Sequence, residues 1–205
     1  MRGNLRWNPF GELDAPTWAD AALVAPRELD AANVTLVVGP PGRGKTTHLL
    51  AWHDAWGAGP SGERAGERAR FVRIPLAATR LPPEASSVPP GVALLVDEAY
   101  ALDEASLTAL CTHPGPLVIA MHEPRLLPTR RPVVVHRVGG LTAERLVAIA
   151  RRRIDLARRG PGSLPGVSVA TAASLVALHG DDIRAIFHAL YELFQRREGP
   201  ADGEL

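Results

Sequence analysis

Short, nearly unbroken apolar runs recur through the first two thirds of the chain. They are Val34-Thr35-Leu36-Val37-Val38, Val92-Ala93-Leu94-Leu95-Val96, Leu117-Val118-Ile119-Ala120-Met121 and Val133-Val134-Val135, with a weaker one at Phe71-Val72-Arg73-Ile74. Continuous rather than alternating apolarity predicts strands buried on both faces, as in a parallel sheet covered by helices. Helical periodicity alternates with these runs, so the expected class is α/β. A helix is expected from Lys45 to Trp56. The Gly-rich, charged stretch from Gly57 to Ala69 reads as a surface loop, and Pro-rich Pro75 to Gly91 as a short or irregular crossover. Asp103 has the features of an N-cap, with Leu102 and Leu107 at staple spacing, opening a short helix to Cys111.

From Leu141 the pattern becomes purely helical. Thr142 is the expected cap of a first helix, which a Pro/Gly loop from Gly160 to Gly166 ends. Ser168 begins a second that stops near Gly180, and Asp181 is expected to cap a third. In that last helix Ile183, Ile186, Phe187, Leu190 and Phe194 follow the i, i+3, i+4, i+7 rule. The expected organisation is an arm over 1–32, a five-stranded α/β domain over 33–139, a helical region over 140–197 and a flexible tail over 198–205.

Composition narrows the field only a little. The chain has 205 residues, enough for one α/β domain with an appendage. It has no apolar run near the roughly 20 residues that span a bilayer, and no signal-peptide pattern follows Arg2 and Arg6. One cysteine, Cys111, cannot form an internal disulfide, so a cytoplasmic protein without a membrane is expected. The formal net charge of +1 predicts no strong nucleic-acid binder. Its 23 basic residues include one lysine, Lys45, and the rest are arginine. A compact ammonium fits among phosphates in a tight loop where a forked guanidinium is too large.

That lysine sits in Gly39-Pro40-Pro41-Gly42-Arg43-Gly44-Lys45-Thr46, followed by Thr47. The segment matches G-x-x-x-x-G-K-[ST] between an expected strand and an expected helix. Glycines let successive N–H groups point inward at phosphate oxygens, and the helix N-terminus adds partial positive charge. Lys45 is the candidate for the β- and γ-phosphates, and the Thr46 hydroxyl for Mg²⁺. By average composition such a match arises by chance in on the order of one chain in a hundred of this length, and the context lowers that. The second signal is Asp97-Glu98, directly after the apolar run ending at Val96. It sets two carboxylates at the carboxyl edge of a sheet, where ligands bind in open α/β folds. Asp97 is the candidate second metal ligand, and Glu98 the base that orients and deprotonates the attacking water. Bound ATP with Mg²⁺ is the expectation.

At these residues the chain resembles the AAA+ ATPases, from about Val34 to Arg197. The resemblance implies a P-loop NTPase sheet in strand order 5-1-4-3-2, a C-terminal helical lid, and ATP bound between sheet and lid. His122, at the end of the run Leu117 to Met121, matches the position called sensor 1, although that position is more often Asn, Thr or Ser. Gly180-Asp181-Asp182-Ile183-Arg184 looks like a sensor 2 motif, in which Arg184 reaches the nucleotide. The opening Trp7-Asn8-Pro9-Phe10 resembles that of small bacterial AAA+ helpers of transposition and secretion systems. In such proteins this segment packs near the adenine; alternatively Trp7 and Phe10 pin the arm to the core. The resemblance also implies a homo-oligomer with an arginine supplied from a neighbouring subunit. Here the matching segment, Glu123 to Pro132, holds Arg125, Arg130 and Arg131, of which Arg130 and Arg131 match best.

Arg145, Arg152 and Arg159 recur every seven residues, with Arg151 and Arg158 beside them. The stripe could meet DNA or an acidic partner, though such stripes are more often solvated faces. Cys111, His113, His122 and His136 lack zinc-ligand spacing. The leading expectation is an ATPase that remodels or recruits an unidentified macromolecular partner, and the alternative is a nucleotide-dependent switch or adaptor with little turnover. A small-molecule kinase is disfavoured by the Asp97-Glu98 pair, and a helicase by the lack of room for a second motor domain.

Overall fold

The computed structural model describes residues 4–21, 23–58 and 67–196. The expected tail at 198–205, Arg197, and positions 59–66 of the expected surface loop lie outside the described residues. The chain divides into two compact units. One comprises Val24–Val138; the other joins the residues before Val24 to those from Gly139 onward. Among the described residues no helix is long and apolar enough to cross a membrane.

The Val24–Val138 unit is α/β. Its strands are β1 (Val34–Val38), β2 (Ala69–Arg73), β3 (Ala93–Asp97), β4 (Leu117–Met121) and β5 (Val133–Arg137). They form one all-parallel sheet in the order β2-β3-β4-β1-β5, which is the order expected. Helix α2 (Lys45–Ala58) covers one face, setting Leu49 and Trp52 on Val37, Leu95 and Val118. Helix α4 (Glu104–Cys111) covers the other, with Leu107 and Leu110 among Leu36, Leu94, Val96 and Ile119. β1, β3 and β4 are buried along their whole length, so their continuous apolarity is explained by helices on both sides. The Asp103 cap forms as expected, its side chain accepting from the Ser106 N–H. Between β2 and β3 the crossover holds only the four-residue α3 (Pro83–Ser86).

β5 departs from expectation. Its apolar run predicts burial on both faces, yet Val133, Val134 and Val135 are all exposed. The strand lies at the sheet edge and pairs only with β1. Apolar continuity therefore reports strand propensity here, not burial.

The other unit contains α1 (Ala15–Ala21), α5 (Ala143–Leu156), α6 (Val169–His179) and α7 (Ile183–Arg196). Leu146, Ala150 and Ile154 of α5 meet Ala172 and Leu175 of α6 and Ile186, Leu190 and Phe194 of α7. Thr142 and Ser168 cap α5 and α6 as expected. The cap of α7 is one residue later than expected. Asp182 Oδ1 accepts from the N–H groups of Arg184 and Ala185, while the Asp181 carboxylate accepts from the N–H groups of Gly140 and Leu141. Asp181 thus closes the entry to α5 rather than opening α7.

Phe10 is buried in this helical core, its ring 4.9 Å from Phe194 and 5.8 Å from Phe187. Asn8 donates to the Tyr191 carbonyl and accepts from the Phe10 N–H. Trp7 is exposed. Of the two readings for the opening residues, Phe10 fits the one in which it pins the arm.

Candidate functional site

The segment from Gly39 to Gly44 joins β1 to α2, whose first residues are Lys45, Thr46 and Thr47. Its shape depends on glycine. A Cβ at Gly39 would stand 2.6 Å from the Val138 carbonyl oxygen, and Gly42 and Gly44 hold φ of 79° and 89°. Lys45 is the first residue of α2 and is buried. Its Nζ donates to the Gly39 carbonyl at 2.7 Å and the Pro40 carbonyl at 3.0 Å, so the ammonium lies against the loop that precedes it. His48, one turn into the helix, contacts the Gly44 carbonyl through Nδ1 at 2.9 Å. Arg43 contributes a guanidinium whose Nη1 is buried without a hydrogen-bond partner.

The next residue of the helix meets β3. The Thr46 hydroxyl donates to Asp97 Oδ2 at 2.7 Å. Asp97 ends β3, is wholly buried, and accepts from the Glu98 N–H through Oδ1 at 3.0 Å. Arg73, its register partner at the end of β2, brings Nε and Nη2 each to 3.4 Å from the same Oδ2. Such strand ends are where the carboxyl edge of a parallel sheet gathers side chains from residues distant in sequence.

Glu98 has a left-handed backbone, φ 59° and ψ 33°, unique to it among the described non-glycine residues. Bulky residues take this conformation at a cost, typically about 1–3 kcal/mol, where surrounding structure enforces it. The turn Ala99–Ala101 follows at once. Glu98 Oε2 faces His122 Nε2 at 3.4 Å, which is ion-pair range without hydrogen-bond geometry, and this buried oxygen has no hydrogen-bond partner. The His122 ring stacks on Tyr100 at 4.1 Å. Lys45, Thr46, Asp97, Glu98 and His122 thus share one edge of the sheet.

The three arginines between β4 and β5 differ. Arg131 donates to the carbonyls of Gly115 at 2.9 Å, Ala31 at 3.1 Å and Cys111 at 3.5 Å. It ties loops at one end of the sheet. Arg130 is exposed, and Arg125 donates to the Leu102 carbonyl. Arg184 belongs to the helical unit, where it is exposed on α7.

Sequence reasoning missed several groups. Arg73 could have been found, since it lies within the weak run at 71–74 and an order with β2 beside β3 makes it a neighbour of Asp97. The cluster of His48, Trp52, His136 and Arg27 had no such signal. His136 lies 5.1 Å from the Trp52 ring and 5.3 Å from that of His48, with Arg27 Nη1 3.4 Å from its Nδ1. Burial pushes the His136 pKa below the ordinary histidine value, and His48 and Arg27 push the same way. Arg153, in the helical unit, follows Arg151 and Arg152 directly and has no local signal either. It is buried and donates to the Pro9 carbonyl at 2.6 Å and the Gly11 carbonyl at 2.8 Å, with Cζ 4.4 Å from the Phe187 ring centroid. Its burial pulls the pKa down to about 10.

Three arginines of the basic stripe, Arg145 and Arg152 on α5 and Arg158 just beyond it, are engaged within their own unit. Arg152 pairs with Asp20, Arg145 donates to the Leu23 carbonyl, and Arg158 contacts Asp155 and Gly162. Among the described residues no group of three or more His, Cys, Asp or Glu side chains could hold a metal ion. No protein-family model matches the chain, and no curated protein matches it.

Proposed function

We propose that this chain is an ATPase of the AAA+ type, with Gly39–Thr47 as its P-loop, Asp97 and Glu98 as its acidic pair and the C-terminal helices as its lid. The observation that carries the reading is the 2.7 Å contact from Thr46 Oγ1 to Asp97 Oδ2, made beside a buried Lys45 at a helix start. The contact brings together an alcohol and a carboxylate, the hard oxygen donors that suit Mg²⁺ when most of its other ligands are water and phosphate.

The residues fit the triphosphate as well. Lys45 leaves the Gly39 and Pro40 carbonyls for phosphate oxygens, and the loop N–H groups supply the remaining donors. Arg43 Nη1, buried with no acceptor, gains one. Thr46 and Asp97 would hold Mg²⁺. When bound, Mg²⁺ neutralises charge on the β- and γ-phosphate oxygens. Glu98 then accepts the proton of the attacking water, which adds to the γ-phosphorus as the bond to the β-γ bridging oxygen breaks. The products are ADP and inorganic phosphate. His122 holds Glu98 in place.

A second reading is a nucleotide-dependent switch with little turnover. It is favoured by the approach of His122 Nε2 to Glu98 Oε2, which occupies one oxygen of the candidate base. In either case the output is the remodelling or recruitment of a macromolecular partner, with self-association. We propose a cytoplasmic compartment, in keeping with a single cysteine that cannot form an internal disulfide.

The test is calorimetric titration of ATP and ADP with and without Mg²⁺, followed by single-turnover hydrolysis. Magnesium-dependent binding with steady phosphate release supports the ATPase. Binding with release slower than nucleotide dissociation selects the switch. No nucleotide binding by the folded chain refutes both.

A further inference from the structure

Asp97 has more partners than a metal ligand needs. Oδ1 accepts from the Glu98 N–H, and Oδ2 receives both the Thr46 hydroxyl and two nitrogens of Arg73. The carboxylate is wholly buried, whereas the Arg73 side chain is 54% exposed, so the guanidinium reaches in from solvent to cover a charge that cannot reach out. The parallel register, Arg73 opposite Asp97, fixes that approach in the backbone.

These partners respond differently to a divalent cation. A hydroxyl has lone pairs as well as a proton and can turn to face a cation. A guanidinium has donors only, keeps its charge at any physiological pH, and repels a cation at the same oxygen. Its contacts, at 3.4 Å, are also longer than that of the hydroxyl. Of the groups on Asp97, Arg73 is therefore the one that must yield.

We propose that Arg73 competes with the divalent cation for Asp97 Oδ2 and so sets the Mg²⁺ concentration at which the site takes up metal and nucleotide together. The proposal rests on the nucleotide reading above. Arg73 is a positioning residue in this role: it acts through Asp97, keeps that buried carboxylate neutralised, and releases it to the metal. With Arg73 released, the site keeps its positive charge at the sheet edge beside the incoming phosphates. Without Arg73, Asp97 keeps its Thr46 and Glu98 donors but loses the positive charge beside it. Metal then binds it more readily, and metal-free nucleotide meets an uncompensated negative charge.

The experiment uses the full chain, a fluorescent ADP and Mg²⁺ titrated from an EDTA baseline, comparing wild type with Arg73→Gln and Arg73→Lys. Arg73→Gln is expected to lower the half-saturating Mg²⁺ concentration about three- to tenfold, a modest factor because half of the arginine is screened by solvent. It should also weaken ADP binding in EDTA, so that the ratio of affinities with and without Mg²⁺ rises. Arg73→Lys keeps a charge without the fork and should fall between the two. An Arg73→Gln protein with the wild-type Mg²⁺ midpoint would overturn the proposal, as would one needing more Mg²⁺, which would make Arg73 a support of the metal site. A wild type that binds ADP under neither condition refutes the nucleotide reading itself, and the proposal with it.

Discussion

The Thr46 hydroxyl and the Asp97 carboxylate, 51 positions apart in the chain, meet at 2.7 Å at the carboxyl edge of the sheet. The meeting follows from topology. β1 and β3 are not neighbours, since β4 runs between them, but α2 crosses the face they share and begins where β1 ends. The first polar side chains of α2 are thereby carried across β4 to the tip of β3. A loop motif that seldom arises by chance and a strand end whose acidic pair is a weak signal alone become one oxygen pair beside one ammonium.

Lys45→Ala removes that ammonium. Charge-assisted hydrogen bonds are worth about 1.5–3 kcal/mol each, so the loss of two phosphate contacts should weaken ATP binding about a hundredfold or more. The same change leaves the Gly39 and Pro40 carbonyls without their Lys45 contact, so the loop loses its internal tie too. Calorimetry on a folded mutant checks this. Affinity near wild type would mean that the loop does not hold phosphates.

Glu98→Gln keeps size and shape but cannot take a proton. General-base contributions run to about 10²–10⁴-fold. The expected result is ATP affinity within a few-fold of wild type and single-turnover hydrolysis at least about a hundredfold slower. Hydrolysis at the wild-type rate would remove Glu98 from the chemistry and leave its left-handed backbone without a catalytic explanation.

Much of the fold is legible in the sequence. The strands β1, β3 and β4 announce themselves because both faces are buried, and the caps Asp103, Thr142 and Ser168 because local hydrogen bonds depend on residues three apart. What failed was whatever depends on tertiary neighbours. Val133 to Val135 look like core until the edge position of β5 is known. Asp181 and Asp182 are interchangeable by spacing, and only the turn before α5 assigns one to each task. Arg153 is one of three consecutive arginines, and nothing local tells which of them turns inward to the carbonyls of Pro9 and Gly11.

Arg153→Met should therefore destabilise the helical unit, while Arg151→Met, at an exposed position, should not. The first leaves two carbonyls without their guanidinium donor and removes the cation from the face of Phe187. Buried acceptors left unsatisfied cost about 1–3 kcal/mol each. Hydrogen exchange of α5, α6 and α7 should accelerate in Arg153→Met alone. Equal effects from both substitutions would show that the buried guanidinium does nothing for the arm.

Stability should fall as the solution is acidified below neutrality. Burial holds the His113 and His136 pKa values below the ordinary histidine range, against the Val92 carbonyl contact in one case and reinforced by His48 and Arg27 in the other. A depressed histidine binds fewer protons folded than unfolded. Its contribution is complete above the unfolded pKa of about 6.5 and is lost as pH falls through that value toward the folded one. Thermal melts from pH 7.5 to 5.0 should show a falling Tm, with a shallower slope in His136→Gln. An unchanged slope would mean that His136 takes up its proton in the folded chain as readily as in the unfolded one.

The last prediction separates Arg130 from Arg131. Phosphoryl transfer spreads negative charge over the γ-phosphate oxygens, and an arginine supplied in trans is worth roughly a thousandfold or more in rate. Both residues precede β5, but their surroundings differ. Arg131 spends its guanidinium on the carbonyls of Ala31, Cys111 and Gly115, so Arg131→Ala should lower Tm and affect activity only through folding. Arg130 is exposed at the same end of the same turn and is the better candidate to reach a neighbouring subunit. Arg130→Ala should keep the wild-type Tm and ATP affinity, yet hydrolyse ATP poorly. Mixing supplies the decisive measurement. An excess of Lys45→Ala subunits, unable to bind ATP but carrying Arg130, should restore turnover to Arg130→Ala subunits whose own sites are intact. Adding Lys45→Ala, Arg130→Ala subunits should not. Rescue by neither, or full wild-type turnover at dilutions where the protein is monomeric, would rule out a shared site.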